Sequence, residues 1–266
     1  MQTYSISKWL LFFGIYCIMG WIFESTYVSL KSRKFVNRGF MYGPYLPIYG
    51  FGAITVLFTT LGVRTNIFLV YVVGAFSATL LEYVTGVLME AIFKVRYWDY
   101  SNQKLNFQGH VCLSSTVVWG GFSVAMVFGL HRLVEKVVSY LPVGLTESIP
   151  LAILVVMVAD FTINCKTAIE FRDILEKIEK VKEELKLLQK RMEVIEAIIV
   201  EEKDQKKELL LSELHEIKIK QITYTNKIKE RFGNDMLNLL KRNPRAFSKR
   251  YKAVFEEIKE RILDRS

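Results

Sequence analysis

Cysteine and histidine are scarce in this chain, three of each among 266 residues, and their placement excludes the chemistry they usually carry. Cys17, Cys112 and Cys165 fall in or at the ends of apolar runs, without metal-ligand spacing or the pattern of a disulfide framework, so they leave the redox compartment open. His110 and His131 flank one apolar run. With no second His or Cys at ligand spacing they read as ordinary interfacial histidines, and no metal site is expected. Nucleotide and catalytic signatures are missing too: there is no Walker A motif, dinucleotide glycine fingerprint, G-x-S-x-G elbow or H-E-x-x-H. No cofactor is implied, and any nucleotide hydrolysis that drives this protein belongs to another polypeptide.

What is present is segregated. Hydrophobic residues make up 51% and charged residues 24%. Up to Cys165 the chain is mostly long apolar runs with 11 Lys+Arg against 7 Asp+Glu; from Lys166 onward the counts are 25 and 20. A net charge of +9 divided in this way fits positive-inside loops and anionic lipid headgroups better than nucleic acid. The first apolar run is too long for a signal-peptide core and lacks a small-residue cleavage site, so it reads as a retained span.

Five spans are expected, at about 9–30, 48–63, 67–93, 111–130 and 149–165. Lys31, Arg33, Lys34 and Arg38 place the first loop inside, and Lys94, Arg96 and Lys104 do the same for the loop after the third span. The odd count puts the N-terminus outside. Pro142, Gly144 and Pro150 act as breakers before the fifth span. Between the first two spans, NRGFMYGPYLPIYGFGA (37–53) is too rich in Gly and Pro to begin as a regular helix. Irregular backbone at membrane depth survives only when buried in protein or lining a cavity. That stretch is either a re-entrant, site-lining segment or a turn anchored by Tyr42, Tyr45 and Tyr49.

Carboxylates inside the apolar runs are the candidate site. Each costs about 2.5–3.5 kcal/mol near the bilayer centre, so it needs a bundle interior, a cavity or a cationic partner. Glu82 and Glu90 are about 80° apart around one helix and roughly 12 Å apart along it. Glu24 lies in the last third of the first span, and Asp160 shares a face with Asn164 in the fifth. Arg38, Arg96, Asp99 and Asn106 supply further polar groups, with Tyr42 on the glycine-rich segment. The alternative for the glutamates is plain interhelical hydrogen bonding.

Beyond the spans the period changes. Ile174, Ile178, Val181, Leu185, Leu188, Met192, Ile195 and Ile199 alternate four and three apart, an a/d seam for a left-handed coiled coil. A weaker seam, Leu210, Leu214, Ile217, Gln221, Tyr224 and Ile228, follows a polar stretch. Either the chain reverses into an antiparallel hairpin there, or one helix continues through a stutter. The last apolar stripe, Phe247, Tyr251, Val254, Phe255, Ile258 and Ile262, is ringed by Lys249, Arg250, Lys252 and Lys259; it lies on the anionic inner leaflet or folds back on the coil. The expected fold is therefore all-α: a polytopic membrane helical bundle over 1–165, N-terminus out, and a cytoplasmic coiled-coil helical tail over 166–266.

GWIFES (20–25), NRGFMYGPYLPIYGFGA, LEYVTG (81–86) with Glu90, RYWDYS (96–101), the pair Asn106 and Gly109, and Trp119-Gly120 together resemble the bacterial ABC-transporter permease family called CmpB-like, or type IV. The likeness spans roughly 14–128, and Tyr97 stands where a second Trp is expected. It implies a multi-pass plasma-membrane protein, the permease subunit of a transporter whose ATPase is a separate chain. Partners implied are that ATPase, membrane lipids, and a second copy or a partner permease; Glu24, Arg38, Tyr42, Glu82, Glu90, Arg96, Asp99 and Asn106 would form its polar path. Two other readings stand beside it. One is a membrane enzyme acting on a lipid-linked or phosphorylated substrate at the cytoplasmic interface, with carboxylates beside arginines as base and phosphate clamp. The other is a scaffold that presents the coiled coil.

Overall fold

The structure, a computed structural model, describes residues 4–201, 212, 215–217, 219 and 234–263. Four of its helices are long and apolar enough to cross a membrane: α1 (Ile6–Ser32), α3 (Ile67–Phe93), α4 (Leu113–Ser139) and the first part of α5 (Val143–Glu201). Between α1 and α3 sits the shorter α2 (Pro47–Thr59). Large apolar side chains such as Phe58, Phe68, Phe76 and Val155 stand exposed around the bundle. In water that surface would drive aggregation; in a bilayer it matches its solvent. This is an all-α membrane protein.

Helix ends follow local chemistry. Asn66 caps α3 by accepting from the amides of Phe68 and Leu69, and α1 and α3 end on Arg33 and Lys94 in the left-handed conformation. Within α4, Met126–Leu130 forms a π turn. Of the three expected breakers ahead of the fifth span only Pro142 lies outside the helix: α5 starts at Val143 and runs through Gly144 and Pro150. It continues without interruption past Cys165 and Lys166, where the charge pattern changes.

The second crossing differs from a simple span. α2 has 13 residues, about 20 Å, short of the roughly 30 Å of hydrocarbon. The rest of the distance is covered by irregular chain returning along α1. Residues spaced four apart on one face of α1 hold it. Ser29 Oγ accepts from the Val36 amide (2.9 Å), Ser25 Oγ from the Arg38 amide (3.1 Å), and Trp21 donates to Asn37 (2.7 Å). The Cys17 carbonyl accepts from the Leu46 amide (2.9 Å). The glycine-rich stretch thus packs along α1 inside the bundle, as the site-lining alternative expects.

The chain's end returns to the bundle. α6 (Asn234–Arg242) and α7 (Lys252–Leu263) pack their apolar faces on α5 and on the loop after α3, burying Phe171, Leu175, Leu239, Val254 and Phe255 together. Arg96 and Phe247 pair backbone to backbone (2.8 and 3.0 Å), and Ser248 Oγ donates to the Lys94 carbonyl (2.6 Å). The stripe through Tyr251, Val254, Phe255 and Ile258 therefore covers α5 and not a leaflet, because α5 offers a matching apolar face. On α5, Val181, Leu185, Leu188 and Met192 are less exposed than most of their neighbours. Ile195, Ile199 and the second seam apart from Ile217 lie outside the described side chains, so the pairing of that seam stays an expectation.

Candidate substrate path between the helices

The two glutamates of α3 part company. Glu90 reaches the loop end, where Arg96 Nε donates to it at 2.7 Å and His110 Nε2 lies at 3.1 Å. Arg96 also meets Asp99 Oδ1 (3.7 Å) and the Gln108 carbonyl (2.9 Å). Asn106 is a turn residue: its side chain accepts from the Gly109 amide and donates to the carbonyls of Ser101 and Gln103. Gly109, at φ +76°, closes that turn where a Cβ would run into Ser101, Arg96 and Asp99. His110 is buried against Gly86 and lies beside Glu90.

Burial, and next the Arg96 charge, hold the His110 pKa below its ordinary 6.5, against the opposing pull of Glu90. The unfolded chain then binds the extra proton first, so stability is full above pH 6.5 and falls as pH drops towards the depressed folded value. The slope is at most about 1.4 kcal/mol per pH unit. Thermal unfolding of detergent-solubilised protein from pH 7.5 to 5.5 should show this acid loss, and His110→Gln should flatten it.

Glu82 turns the other way, into the bundle. Only 6% exposed, it accepts from Trp119 Nε1 (2.9 Å) and Tyr100 Oη (3.0 Å). Across from it, Glu24 accepts from Tyr49 Oη (2.8 Å) and lies 3.8 Å from Arg38 Nε. Tyr49 packs 6.2 Å from the Trp119 ring, joining the two carboxylate centres. Burial pushes the Tyr100 hydroxyl pKa well up, Glu82 pushes it further, and Glu24 adds to the same effect. Arg38 is pulled down by burial and supported by Glu24, yet a guanidinium stays charged at any physiological pH.

The GWIFES motif now has a physical reason at four positions. Trp21, Glu24 and Ser25 each hold the glycine-rich segment, and Gly20 leaves room for the Tyr49 ring, which an added Cβ would strike. Gly20→Ala is expected to cost about 1–3 kcal/mol of stability. Gly62→Ala, which meets nothing within 4 Å, is the control in the same thermal-unfolding measurement.

Asp160 organises the segment from the α5 side. It accepts from the amides of Tyr42 (3.1 Å) and Gly43 (2.8 Å), from Tyr45 Oη (2.8 Å) and from Asn164 (2.6 Å). Arg242 then stacks on the Tyr42 ring at 3.9 Å and donates to Asn164 (2.8 Å). Asn243 accepts from Arg38 (3.0 Å). The end of the chain therefore touches Tyr42 and Arg38 directly.

Of the residues expected to act together, the structure joins Glu24 with Arg38, and Glu90 with Arg96 and Asp99. It sets Glu82 apart from both arginines and gives Tyr42 to Asp160 and Arg242. Tyr49, Tyr100, Trp119, Arg242 and Asn243 were not named as members, although Tyr49, Tyr100 and Trp119 fall within the quoted motifs. A further cluster was missed at the opposite end, where Tyr16 Oη bonds His131 Nδ1 (2.8 Å) and Tyr4 Oη donates to Glu135 (2.6 Å). Among the described residues no three His, Cys, Asp or Glu side chains gather as a metal site would require.

A cavity of about 320 Å³ lies between α1, α2, α3 and α4, with Glu82, Tyr49 and Trp119 at one end and Tyr16 at the other. Its remaining walls are largely apolar, among them Met19, Ile48, Val56, Leu81 and Met126. A family described as "Putative ABC-transporter type IV", the CmpB type, matches residues 11–165, more than half of the chain. The chain belongs to this family. The CmpB-type match takes in every residue of the cavity and extends past Phe128 to include Asp160 and Asn164. No curated protein and no solved structure matches the chain.

Proposed function

We propose that this CmpB-type protein is the membrane subunit of an ABC-type transporter, that the Glu82 cavity is its substrate site, and that a separate ATPase chain works from the tail side. The single observation that carries the reading is a buried carboxylate at the head of a cavity shared by four helices. Glu24, Arg38 and Tyr49 form the adjoining polar step. Arg242 and Asn243 link the tail to Arg38 and Tyr42, a mechanical route by which an event on the tail reaches Glu24. Lys31, Arg33, Lys34, Lys94 and Lys104 lie at the tail end of α1 and α3, which supports a cytoplasmic tail in a plasma membrane. The exposed Leu187 and Val194 beside the α5 seam suit pairing with a second copy. The enzyme reading is weaker, because Arg38 and Arg96 are committed to Glu24 and Glu90 and offer no free phosphate clamp.

Cysteine labelling in native membranes tests the proposal without knowledge of the substrate. With Cys17, Cys112 and Cys165 replaced, Ser123→Cys puts one thiol on the cavity wall. Its reaction rate with a water-soluble maleimide should change severalfold when ATP is added to inside-out vesicles. A rate indifferent to ATP would count against a nucleotide-driven cycle at this cavity.

A further inference from the structure

Charge balance at the buried carboxylates singles out one of them. Glu24 has Arg38 and Glu90 has Arg96, while Asp160 is enclosed by four donors. Glu82 has only neutral donors: the Trp119 indole and the Tyr100 hydroxyl, one on each oxygen, with the Ser115 hydroxyl beside them. Among the described residues no Lys, Arg or His forms an ion pair with it. A carboxylate offers about four acceptor sites, so capacity remains on the side that faces the cavity.

We propose that the cavity binds an amphiphilic organic cation, with its ammonium group against Glu82 and the Trp119 ring and its hydrocarbon arm between α1, α2 and α4. Three features select this class. The carboxylate repels anions and leaves a neutral amphiphile without a partner for its charge. Trp119, Tyr49 and Phe122 line the same cavity as Glu82, and aromatic rings attract cations once water is removed. The walls lack the six or more oxygens that a hydrated metal ion would need in exchange for its shell, so a small inorganic cation is excluded. Phe23 of α1 and Phe122 of α4, both lining the cavity and about half exposed, meet edge to face at 5.8 Å and stand between it and the outside of the bundle. A cavity of about 320 Å³ lies at the small end of ligand sites and suits one alkyl chain or a compact ring system.

The inference names the substrate class of the proposed transport site and so rests on that reading for its purpose, although binding needs no ATPase. Full-length protein in lipid nanodiscs is titrated with octyltrimethylammonium, octyl sulfate and octanol, and binding is followed by calorimetry. Saturable binding of the cation alone is expected. Glu82→Gln should weaken it about tenfold or more, and Trp119→Phe severalfold, while the exposed Glu147→Gln should leave it unchanged. Should Glu82→Gln fail to fold, Trp119→Phe and the three-probe comparison still decide. Equal binding of octyl sulfate or octanol, or a cation affinity indifferent to both cavity variants, overturns the proposal. Cation binding without any ATP effect on Ser123→Cys labelling would preserve the site and remove the transport reading; the reverse would remove only the ligand class.

Discussion

Asp160→Ala is expected to leave little folded protein after detergent extraction. The Asp160 carboxylate is the acceptor for two backbone amides in a segment that has no regular secondary structure, and for the hydroxyl of Tyr45. Leaving a buried donor unsatisfied costs about 1–3 kcal/mol, and here three are orphaned at once. That sum approaches the whole stability of an ordinary domain, about 5–15 kcal/mol. Asp160→Asn keeps one acceptor oxygen and turns an N–H towards the others, so it should fall between the two. Size-exclusion profiles of tagged protein are the readout, and a monodisperse Asp160→Ala peak of wild-type height would refute the role.

Arg96→Ala comes second in size. The guanidinium is 5% exposed and bridges Glu90, Asp99 and the Gln108 carbonyl, while its backbone pairs with Phe247. Removing one partner of such a pair strands the other and costs about 3–5 kcal/mol. Lysine does not replace it, because a single ammonium cannot meet Glu90 and Gln108 in the planar fork that Arg96 uses. Since the same stretch receives Phe247, the loss should extend to the docked end of the chain. Limited proteolysis should cut between α6 and α7 earlier in Arg96→Ala than in wild type. Unchanged cleavage with unchanged melting would show that the ion pair holds nothing.

Long apolar runs were readable because a bilayer demands about twenty apolar residues whatever their neighbours are. Ile67–Phe93 was bounded to the residue, and the capping Asn66 explains why. The composite second crossing was legible only as a choice, since glycine and proline announce irregular backbone but not its depth. Depth is fixed by partners on α1 and α5, and only contact reveals them. The same limit applied to the polar groups. Spacing could place Glu82 and Glu90 within reach of one face, yet 80° was enough to send one to Trp119 and the other to Arg96. Arg242 and Asn243 carried no signal at all, because their partners Arg38, Tyr42 and Asn164 are nearly eighty residues or more away along the chain. Apolar stripes near the C-terminus gave the right face for α7 but two surfaces it could cover; the match with Phe171 and Leu175 decided between them.

The central claim, a membrane subunit serving a separate ATPase, is tested most directly by purifying the tagged full chain from its native membrane in mild detergent. Stoichiometric proteins are then identified by mass spectrometry. The account predicts a nucleotide-binding subunit at fixed ratio, released when the contacts of Arg242 and Asn243 are removed. Recovery of the chain with itself alone, at every detergent that keeps it monodisperse, would contradict it.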